Sequence, residues 1–288
     1  MTRIMERDIM KFFEKVMAVG AILLIVIGSA MAITTYRGYK KGQDGYAKLQ
    51  TEFTSNLKDC PKTADKSPEE QAGGIPENAS VSKMDLGETL PEDAPDRIEV
   101  DWEKLKQVNE DIVAWITLPA LDLSYPVVQG KDNEYYLHRS VDGEYLFAGS
   151  IFMDYFNHPG LENYNTIIYG HNMRDGSMFA RLKEYNDTDV YKACPYFWIY
   201  TPDGDHLYKI FSVHTASAKS DTYTVRFKNK ETYAAWLVKE KTQSQIETGI
   251  ELMMEDHVVT LSTCTGDEVN RQVVQGVQVY QSEGMCHK

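Results

Sequence analysis

The feature that most constrains this chain is an apolar run close to its N-terminus. Residues 16–33 include no charged side chain and are about long enough to cross the hydrocarbon core of a bilayer as one helix. Because almost the whole chain follows this run, we expect an uncleaved signal anchor at 16–35 in a single-pass protein of the cell membrane. Residues 1–15 are then cytoplasmic, and the large C-terminal part is extracytoplasmic. A cleaved signal peptide is the alternative, although the run is longer than a usual h-region.

Charge counting alone does not decide the orientation of that run. Basic residues lie on both sides, with only a slight excess before it. They are Arg3, Arg7, Lys11 and Lys15 on the N-terminal side, and Arg37, Lys40 and Lys41 on the C-terminal side.

A segment poor in apolar residues follows the run. Residues 36–57 are mixed in character and predict a short helix or stalk, whereas 58–96 are rich in proline and acidic residues. The latter stretch buries too little apolar area to offset its chain entropy. We therefore expect a stalk and an acidic linker over 36–97, followed by one folded domain over 98–288. The linker contributes to the net charge of −13, and a solvated tether explains its charge better than a binding role.

Composition excludes several classes of protein. The acidic balance argues against a nucleic-acid partner, because such a protein needs a basic face. None of the four cysteines lies in a Cys-x-x-Cys pair, so neither a disulfide scaffold nor a structural zinc site is expected. No calcium-loop, phosphate-loop or dinucleotide pattern occurs, so we expect no metal and no cofactor. A disulfide among Cys60, Cys194 and Cys286 remains open, because no spacing selects a pair.

Periodic apolar residues begin at Ile98. Asp101 is placed to cap a helix whose helical spacing continues to Ile116, and further helices are expected at 177–185 and 230–246. Pro-Asp-Gly-Asp at 202–205 predicts the turn of a hairpin. Many short strands with few helices predict a mainly β fold, a β-barrel with peripheral helices. The expected strands are 121–128, 150–154, 166–169, 196–201, 206–216, 257–263 and 272–280.

Two strand ends carry residues suited to nucleophilic chemistry. Thr166-Ile-Ile-Tyr-Gly-His171 places a histidine just after a strand, and Val258-Val-Thr-Leu-Ser-Thr-Cys264 ends at a cysteine, with Arg271 opening the next strand. A histidine can hold the proton of a thiol and return it to a leaving amine, and a guanidinium can stabilise an oxyanion. Together the three groups describe acyl transfer through a thioester.

Simpler interpretations exist for each of these residues. A free cysteine is most often a small buried apolar residue, and Arg271 is equally suited to be a solvated charge at a strand start. Elementary chemistry does not separate His171 from the other histidines, which include His138, His158, His206 and His214.

At this point the chain resembles a sortase, and among sortases class B. The resemblance covers about 98–280 and implies a closed β-barrel of about eight strands with an N-terminal helical extension. It is carried by Asn109-Glu-Asp-Ile-Val-Ala-Trp-Ile, Tyr125-Pro-Val-Val-Gln-Gly-Lys-Asp-Asn-Glu-Tyr-Tyr-Leu137, Gly149-Ser-Ile-Phe-Met-Asp154, Tyr169-Gly-His-Asn and Thr260-Leu-Ser-Thr-Cys264. The interval from Cys264 to Arg271 is shorter than in some class B members, and the long linker is unusual for the class.

The resemblance implies a membrane-anchored cysteine transpeptidase of Gram-positive bacteria. Cys264 is then the nucleophile, His171 the general acid, and Arg271 the residue that positions substrate and supports the oxyanion. The substrate is a surface protein with a C-terminal sorting signal of the Asn-Pro-x-Thr type, cleaved after threonine. The acyl acceptor is an amine of a peptidoglycan precursor (lipid II) or a pilin lysine. The residues expected to bind substrate are Asn133, Leu137, Tyr223, Ser262 and Thr263.

Alternatives remain open at two levels. Asn133 and Tyr223 are equally suited to be turn and packing residues. The whole domain is compatible with an anchored cysteine peptidase that uses water as acceptor, or with a non-catalytic surface receptor.

Overall fold

The structure is a computed structural model that describes residues 2–56, 89–264 and 269–282, with only the backbone described at 2–14, 16, 56 and 264. Contacts divide the chain into two compact units, Met1–Gly45 and Tyr46–Lys288. Of the predicted linker, residues 58–88 lie outside the described ranges. The predicted domain boundaries at 97 and 98 therefore stay a prediction.

The N-terminal helix α1 (Thr2–Phe53) contains the whole predicted anchor. Its part Met17–Phe53 is the one helix among the described residues that is long and apolar enough to cross a membrane, and none of its most apolar window is buried. A signal sequence meets the same criteria. The stalk predicted from residue 36 is helical as far as Phe53.

A short sheet connects the end of α1 to the folded domain. Strand β1 (Thr54–Asn56) pairs antiparallel with β2 (Ile98–Val100). The amide of Asp101 donates to the carbonyl of Phe53, which extends this pairing by one residue.

The helix predicted from Asp101 forms but is shorter than expected. In α2 (Trp102–Val108) the Asp101 carboxylate caps the first turn by accepting from the Lys104 amide at 3.1 Å. The continuation to Ile116 is wrong, because β3 (Ile112–Leu118) is a buried strand. Asn109 takes an extended conformation and its side-chain oxygen accepts from the Asp111 amide, which ends the helix.

Eight strands close into the predicted barrel, in the order β10-β8-β7-β3-β4-β5-β6-β9. The pairs β4–β5 and β6–β9 are parallel, and the others are antiparallel. The predicted hairpin is confirmed as β7–β8. The remaining strands are β4 (Leu123–Val128), β5 (Ile151–Met153), β6 (Asn165–Tyr169), β7 (Tyr196–Thr201), β8 (Gly204–Ser217), β9 (Val258–Cys264) and β10 (Asn270–Gln281).

Helices lie on the outside of this barrel. α3 (Thr188–Ala193) was not expected, and the segment predicted at 177–185 forms a 3-10 helix, Ala180–Asn186. α4 (Lys230–Thr242) ends four residues before the predicted boundary. Its Tyr233, Trp236 and Leu237 are buried, as predicted. They pack with Phe211, Val258 and Val277.

Candidate active site

A cleft of about 280 Å³ opens at one rim of the barrel, where β6 and β9 end and β10 begins. It collects residues that lie far apart in the sequence. Seven of the eight predicted site residues line it, namely Asn133, Leu137, His171, Tyr223, Ser262, Thr263 and Arg271. For the eighth, Cys264, the structure describes the backbone at the end of β9.

The register of two parallel strands places His171 near the end of β9. Tyr169 on β6 is opposite Ser262 on β9, and the Gly170 amide donates to the Ser262 carbonyl at 3.1 Å. Gly170 is required here because a Cβ atom would lie 2.5 Å from the Ile151 side chain and 2.8 Å from Phe179. The backbone at Gly170 therefore packs directly against Ile151 and Phe179, and His171 follows immediately after this close contact.

A backbone carbonyl orients the His171 ring. The Nε2 atom lies 2.7 Å from the carbonyl oxygen of Leu137. Since a carbonyl only accepts, Nε2 carries a proton, which leaves Nδ1 as the nitrogen that exchanges protons. Gly149 makes room behind this carbonyl, because it has φ +58° and a Cβ atom would lie 2.3 Å from the Leu137 oxygen.

An aromatic stack covers His171 on its exposed side. The rings of His138 and His171 are 5.4 Å apart at 22°, and Phe147 stacks near both. Burial lowers the pKa of the His171 imidazole, and the neighbouring His138 lowers it further, against the opposing hydrogen bond to Leu137. The lowered pKa means that the imidazolium form of His171 readily gives up its added proton.

Arg271 reaches the cleft from β10. Its backbone is paired directly with Cys264 in the antiparallel β9–β10 ladder, so the two positions are neighbours across the strands. Its Nη1 atom donates to the Asn270 carbonyl at 2.9 Å, and its side chain lines the cleft. The loop 265–268 between the two strands lies outside the described residues.

Hydrogen bonds hold the wall of the cleft formed by Asn133, Tyr169, Tyr223 and Ser262. The buried Asp154 carboxylate accepts from Asn133 Nδ2 at 2.8 Å and from the Tyr169 hydroxyl at 3.0 Å. Tyr223 and Ser262 hydroxyls are 2.9 Å apart, and the Tyr223 ring stacks on Tyr169. Asn133 and Tyr223 thus combine a cleft-lining position with internal contacts.

Sequence reasoning missed several residues of this wall. Tyr169, Phe152 and Ala218 line the cleft, and Asp154 supports it from behind. Asp154 and Tyr169 do belong to the motifs that carry the sortase resemblance, at a strand end and next to Gly-His. Their place in these motifs was the only signal in the sequence, and a motif does not reveal that Asp154 and Tyr169 share a hydrogen bond.

The remaining predictions concern groups outside the cleft. Among the described residues, no three His, Cys, Asp or Glu side chains converge to hold a metal ion. Cys194 is a half-buried free thiol whose pKa is raised by burial. Cys60 and Cys286 lie outside the described residues, so their disulfide state stays open.

A β-barrel whose rim joins a histidine, an arginine and the cysteine-bearing end of a strand has the design of a thiol-dependent acyl-transfer enzyme. A family model described as the sortase domain matches residues 116–279. The chain belongs to the sortase family of cysteine transpeptidases, and its similarity to known sortase B proteins places it in class B.

Two curated relatives are both called sortase B. The protein of Listeria monocytogenes is 40% identical over 60% of this chain and 71% of its own length. That of Staphylococcus aureus is 28% identical over 88% of this chain and 91% of its own length.

Solved structures agree with this assignment. Sortase B from B. anthracis in complex with AAEK1 superposes with a TM-score of 0.65 at 30% identity, over 85% of this chain and 99% of that one. The S. aureus sortase B–substrate complex superposes with a TM-score of 0.60 at 33% identity, over 62% and 85% of the two chains. Sortase B complexed with triglycine has the same TM-score and identity, over 62% and 86%.

Proposed function

We propose that this sortase cleaves a sorting signal of the Asn-Pro-x-Thr type through a thioester on Cys264 and passes the acyl group to an amine. The observation that carries the proposal is the shared cleft of His171 and Arg271, at the strand end that bears Cys264. The elements holding these residues are separated widely in sequence, and the barrel closure brings them to one rim.

In the first half-reaction the Cys264 thiolate attacks the carbonyl carbon of the signal's threonine. The carbonyl oxygen becomes an oxyanion, which the Arg271 guanidinium stabilises by charge and hydrogen bonding. The C–N bond then breaks as His171 donates the Nδ1 proton to the departing amine. The ring is left neutral, with its Nε2 proton still on the Leu137 carbonyl.

The second half-reaction reverses these roles. An incoming amine attacks the thioester carbonyl, and Nδ1 of the neutral His171 takes the surplus proton from the attacking nitrogen. The C–S bond breaks, the thiolate leaves, and a new amide bond remains. The lowered pKa of His171 favours the first donation, whereas its return to the imidazolium needs the neighbouring thiolate.

We assign signal recognition to the cleft wall that Asp154 supports and to the side chain of Leu137. Asn133, Tyr223 and Ser262 present amide and hydroxyl groups suited to the polar signal side chains, and Leu137 offers apolar contact for proline. Thr263 lines the floor next to the nucleophile position. One of the similar S. aureus structures is a sortase B–substrate complex, which supports a peptide-binding cleft in this chain.

We propose an amine of a peptidoglycan precursor, lipid II, as the acceptor. One similar sortase B structure is a complex with triglycine, and a glycine peptide begins with an unhindered α-amine. A pilin lysine provides the same nucleophile, and water would turn the reaction into hydrolysis.

We further propose that residues 16–35 anchor the enzyme as a single-pass membrane protein, with its catalytic domain at 98–288 outside the cell. The apolar part of α1 supports the membrane-spanning segment of this proposal. A lipid-linked acceptor and an anchored enzyme would then meet in two dimensions at the membrane surface.

Product analysis tests this function. The full chain in detergent micelles is incubated with Asn-Pro-x-Thr peptides, x being varied, with and without triglycine. We expect ligated product with triglycine and slower hydrolysis without it. Cys264→Ala is expected to lose both products, whereas Cys194→Ala, which removes a thiol outside the cleft, retains them.

Three results decide between the alternatives. Ligation by Cys264→Ala would overturn the assignment of the nucleophile. Hydrolysis at a rate and yield unaffected by triglycine would identify a peptidase. An intact thiol with no cleavage of any library peptide would favour a surface receptor.

A further inference from the structure

A buried carboxylate lies behind the cleft, outside the chemistry described so far. Glu240 on α4 has 0% exposure. Its Oε1 atom accepts from the Thr222 hydroxyl at 3.2 Å and from Gln243 Nε2 at 3.1 Å, and its Oε2 atom lies 3.4 Å from Nε2 of His214. A buried carboxylate is costly unless its oxygens are paired, so mere packing does not account for this residue.

Hydrogen-bond directions fix the orientation of the His214 ring beside the carboxylate. The single proton of the Ser212 hydroxyl goes to the Glu240 carbonyl at 2.8 Å, so Ser212 accepts from Nδ1 of His214 at 3.0 Å. Nε2 of His214 then faces Oε2 of the carboxylate at 3.4 Å. Neither atom has a hydrogen-bond partner among the described residues, so the side-chain hydrogen bonds of the carboxylate are those from Thr222 and Gln243.

The other side of this cluster holds the segment that carries Tyr223. Thr222 is fully buried and lies in the 3-10 helix Asp221–Tyr223. Asn165, also fully buried, donates to the carbonyls of Thr222 at 3.1 Å and Thr224 at 3.0 Å. Asn165 thus attaches the backbone of this turn to β6. Three contacts attach the turn to α4: the Thr222 hydroxyl with Glu240, the Asp221 carbonyl with Trp236 Nε1 at 2.9 Å, and the ion pair of Asp221 with Lys239.

Tyr223 is the one residue of this turn that lines the cleft, and its hydroxyl is 2.9 Å from that of Ser262. Among the contacts between this turn and α4, the buried hydrogen bond from Thr222 to Glu240 is made by the residue directly before Tyr223. It therefore fixes the backbone from which the Tyr223 side chain enters the cleft.

We propose that Glu240 and Thr222 form a positioning pair that holds Tyr223 against Ser262 and thereby sets the enzyme's affinity for the sorting signal. The inference rests on the proposed function, and it adds residues that touch neither substrate nor reacting atoms. The pair acts on binding, because Tyr223 lines the cleft together with Ser262 and Asn133, to which signal recognition is assigned.

The test removes one hydroxyl. Thr222→Val keeps the shape of the side chain, and we expect about a five- to tenfold rise in KM for the Asn-Pro-x-Thr peptide, with kcat changed less than about twofold. Thr222→Ser restores the hydroxyl and should restore KM. Thr201→Val is the matched control: Thr201 is buried and donates to the Gly204 carbonyl in the β7–β8 turn, at the end of β8 remote from Ala218. It should lower stability and leave KM unchanged.

A double-mutant cycle shows whether Thr222 acts through Tyr223. In a Tyr223→Phe background, Thr222→Val should raise KM little further, since the hydroxyl that it positions is already gone. Additive effects, or a KM unchanged by Thr222→Val in an active enzyme, overturn the proposal.

Hydrogen exchange gives a readout that does not need turnover. The Thr224 amide donates to the Asp221 carbonyl at 3.0 Å, and Thr222→Val should speed its exchange severalfold, whereas Thr201→Val should not. Unchanged exchange contradicts the positioning role. If the wild-type enzyme cleaves no peptide, the proposed function fails on that ground, and the exchange experiment still decides whether Glu240 and Thr222 hold the turn.

Discussion

Two regions of the catalytic barrel are built on different principles. In the cleft, hydrogen bonds of 2.7 to 3.0 Å orient His171, Asn133, Tyr169 and Tyr223. On the flank beneath α4, apolar side chains pack together, and of these Tyr233 and Trp236 also donate hydrogen bonds, to the Asp256 and Asp221 carbonyls. The side chains of this flank include Phe211, Tyr233, Trp236, Leu237, Val258 and Val277.

The comparison shows that the cleft contacts mainly orient side chains, whereas the flank contacts mainly stabilise the fold. Hydrogen bonds impose direction but contribute modest net free energy, whereas apolar burial contributes much and imposes little direction. Changes in the cleft should therefore reduce activity more than stability. Changes on the flank should do the reverse, and targeted substitutions in each region can break or sharpen this contrast.

The largest effect is expected from Arg271→Lys. Lysine keeps the charge but loses the planar fork of donors, so kcat/KM should fall about 100-fold or more with little change in Tm. Arg226→Lys, at an exposed arginine above Phe156, is the control and should stay near wild type. Equal activity in the two variants would remove Arg271 from the chemistry.

On the flank, Leu237→Ala should lower the free energy of unfolding by about 2 to 5 kcal/mol, because Leu237 is 3% exposed. Its neighbour Val238 is 67% exposed, so Val238→Ala should cost less than about 0.5 kcal/mol. Denaturant titration measures both values. Below its Tm the Leu237 variant should retain its kcat/KM, and a large loss there would erase the contrast between regions.

Acid should destabilise the barrel partly through His206, on β8. Burial lowers the pKa of this histidine to about 4, so the unfolded chain takes up its proton near pH 6.5 and the folded chain does not. The contribution is complete above pH 6.5 and is lost as pH falls toward 4, by about 3 kcal/mol at about 1.4 kcal/mol per unit.

His206→Phe should flatten the stability profile between pH 6.5 and 4, as measured by unfolding at each pH. His158→Phe, at an exposed histidine, is the control and should keep the full acid dependence. Indistinguishable profiles for wild type and His206→Phe would show that the buried imidazole is not the source.

The smallest effect is expected from Asp154→Asn. An amide cannot satisfy Asn133, Tyr169 and the Phe156 amide together, since one of its two positions is a donor. We expect KM for the signal peptide to rise about three- to tenfold. Asp189→Asn, at an exposed acid on α3, serves as the control. An unaltered KM would mean that the wall keeps its shape without Asp154.

The barrel was predictable because its strands carry short apolar runs bounded by turn residues, as in the β7–β8 hairpin. The error at Ile112 and Ile116 has a plain cause. The spacing of Ile112 and Ile116 fits one face of a helix, yet Ala114, midway between them, is buried as well, as in a strand. Apolar periodicity alone therefore did not separate a helix from a strand. The helix ends because Asn109 takes an extended conformation.

The residues of the cleft were predictable where each lies in one short segment, whereas their catalytic roles stay predictions. His171 and Cys264 each follow a β-branched strand, and a resemblance to sortases assigned them roles. Asp154 and Glu240 escaped because their meaning depends on partners from elsewhere in the chain. A glutamate in a helical segment predicts a solvent-exposed face. Only the fold shows that Glu240 is buried, with His214 of β8 beside it.

Trapping the acyl-enzyme tests the central claim most directly. The full chain in detergent is mixed with an Asn-Pro-x-Thr peptide, quenched in acid within the first turnover and digested for mass spectrometry. We predict an acyl adduct that ends in the signal's threonine, attached to Cys264 and released by hydroxylamine. Turnover with the adduct on another residue, or rapid cleavage by Cys264→Ala, would contradict the account.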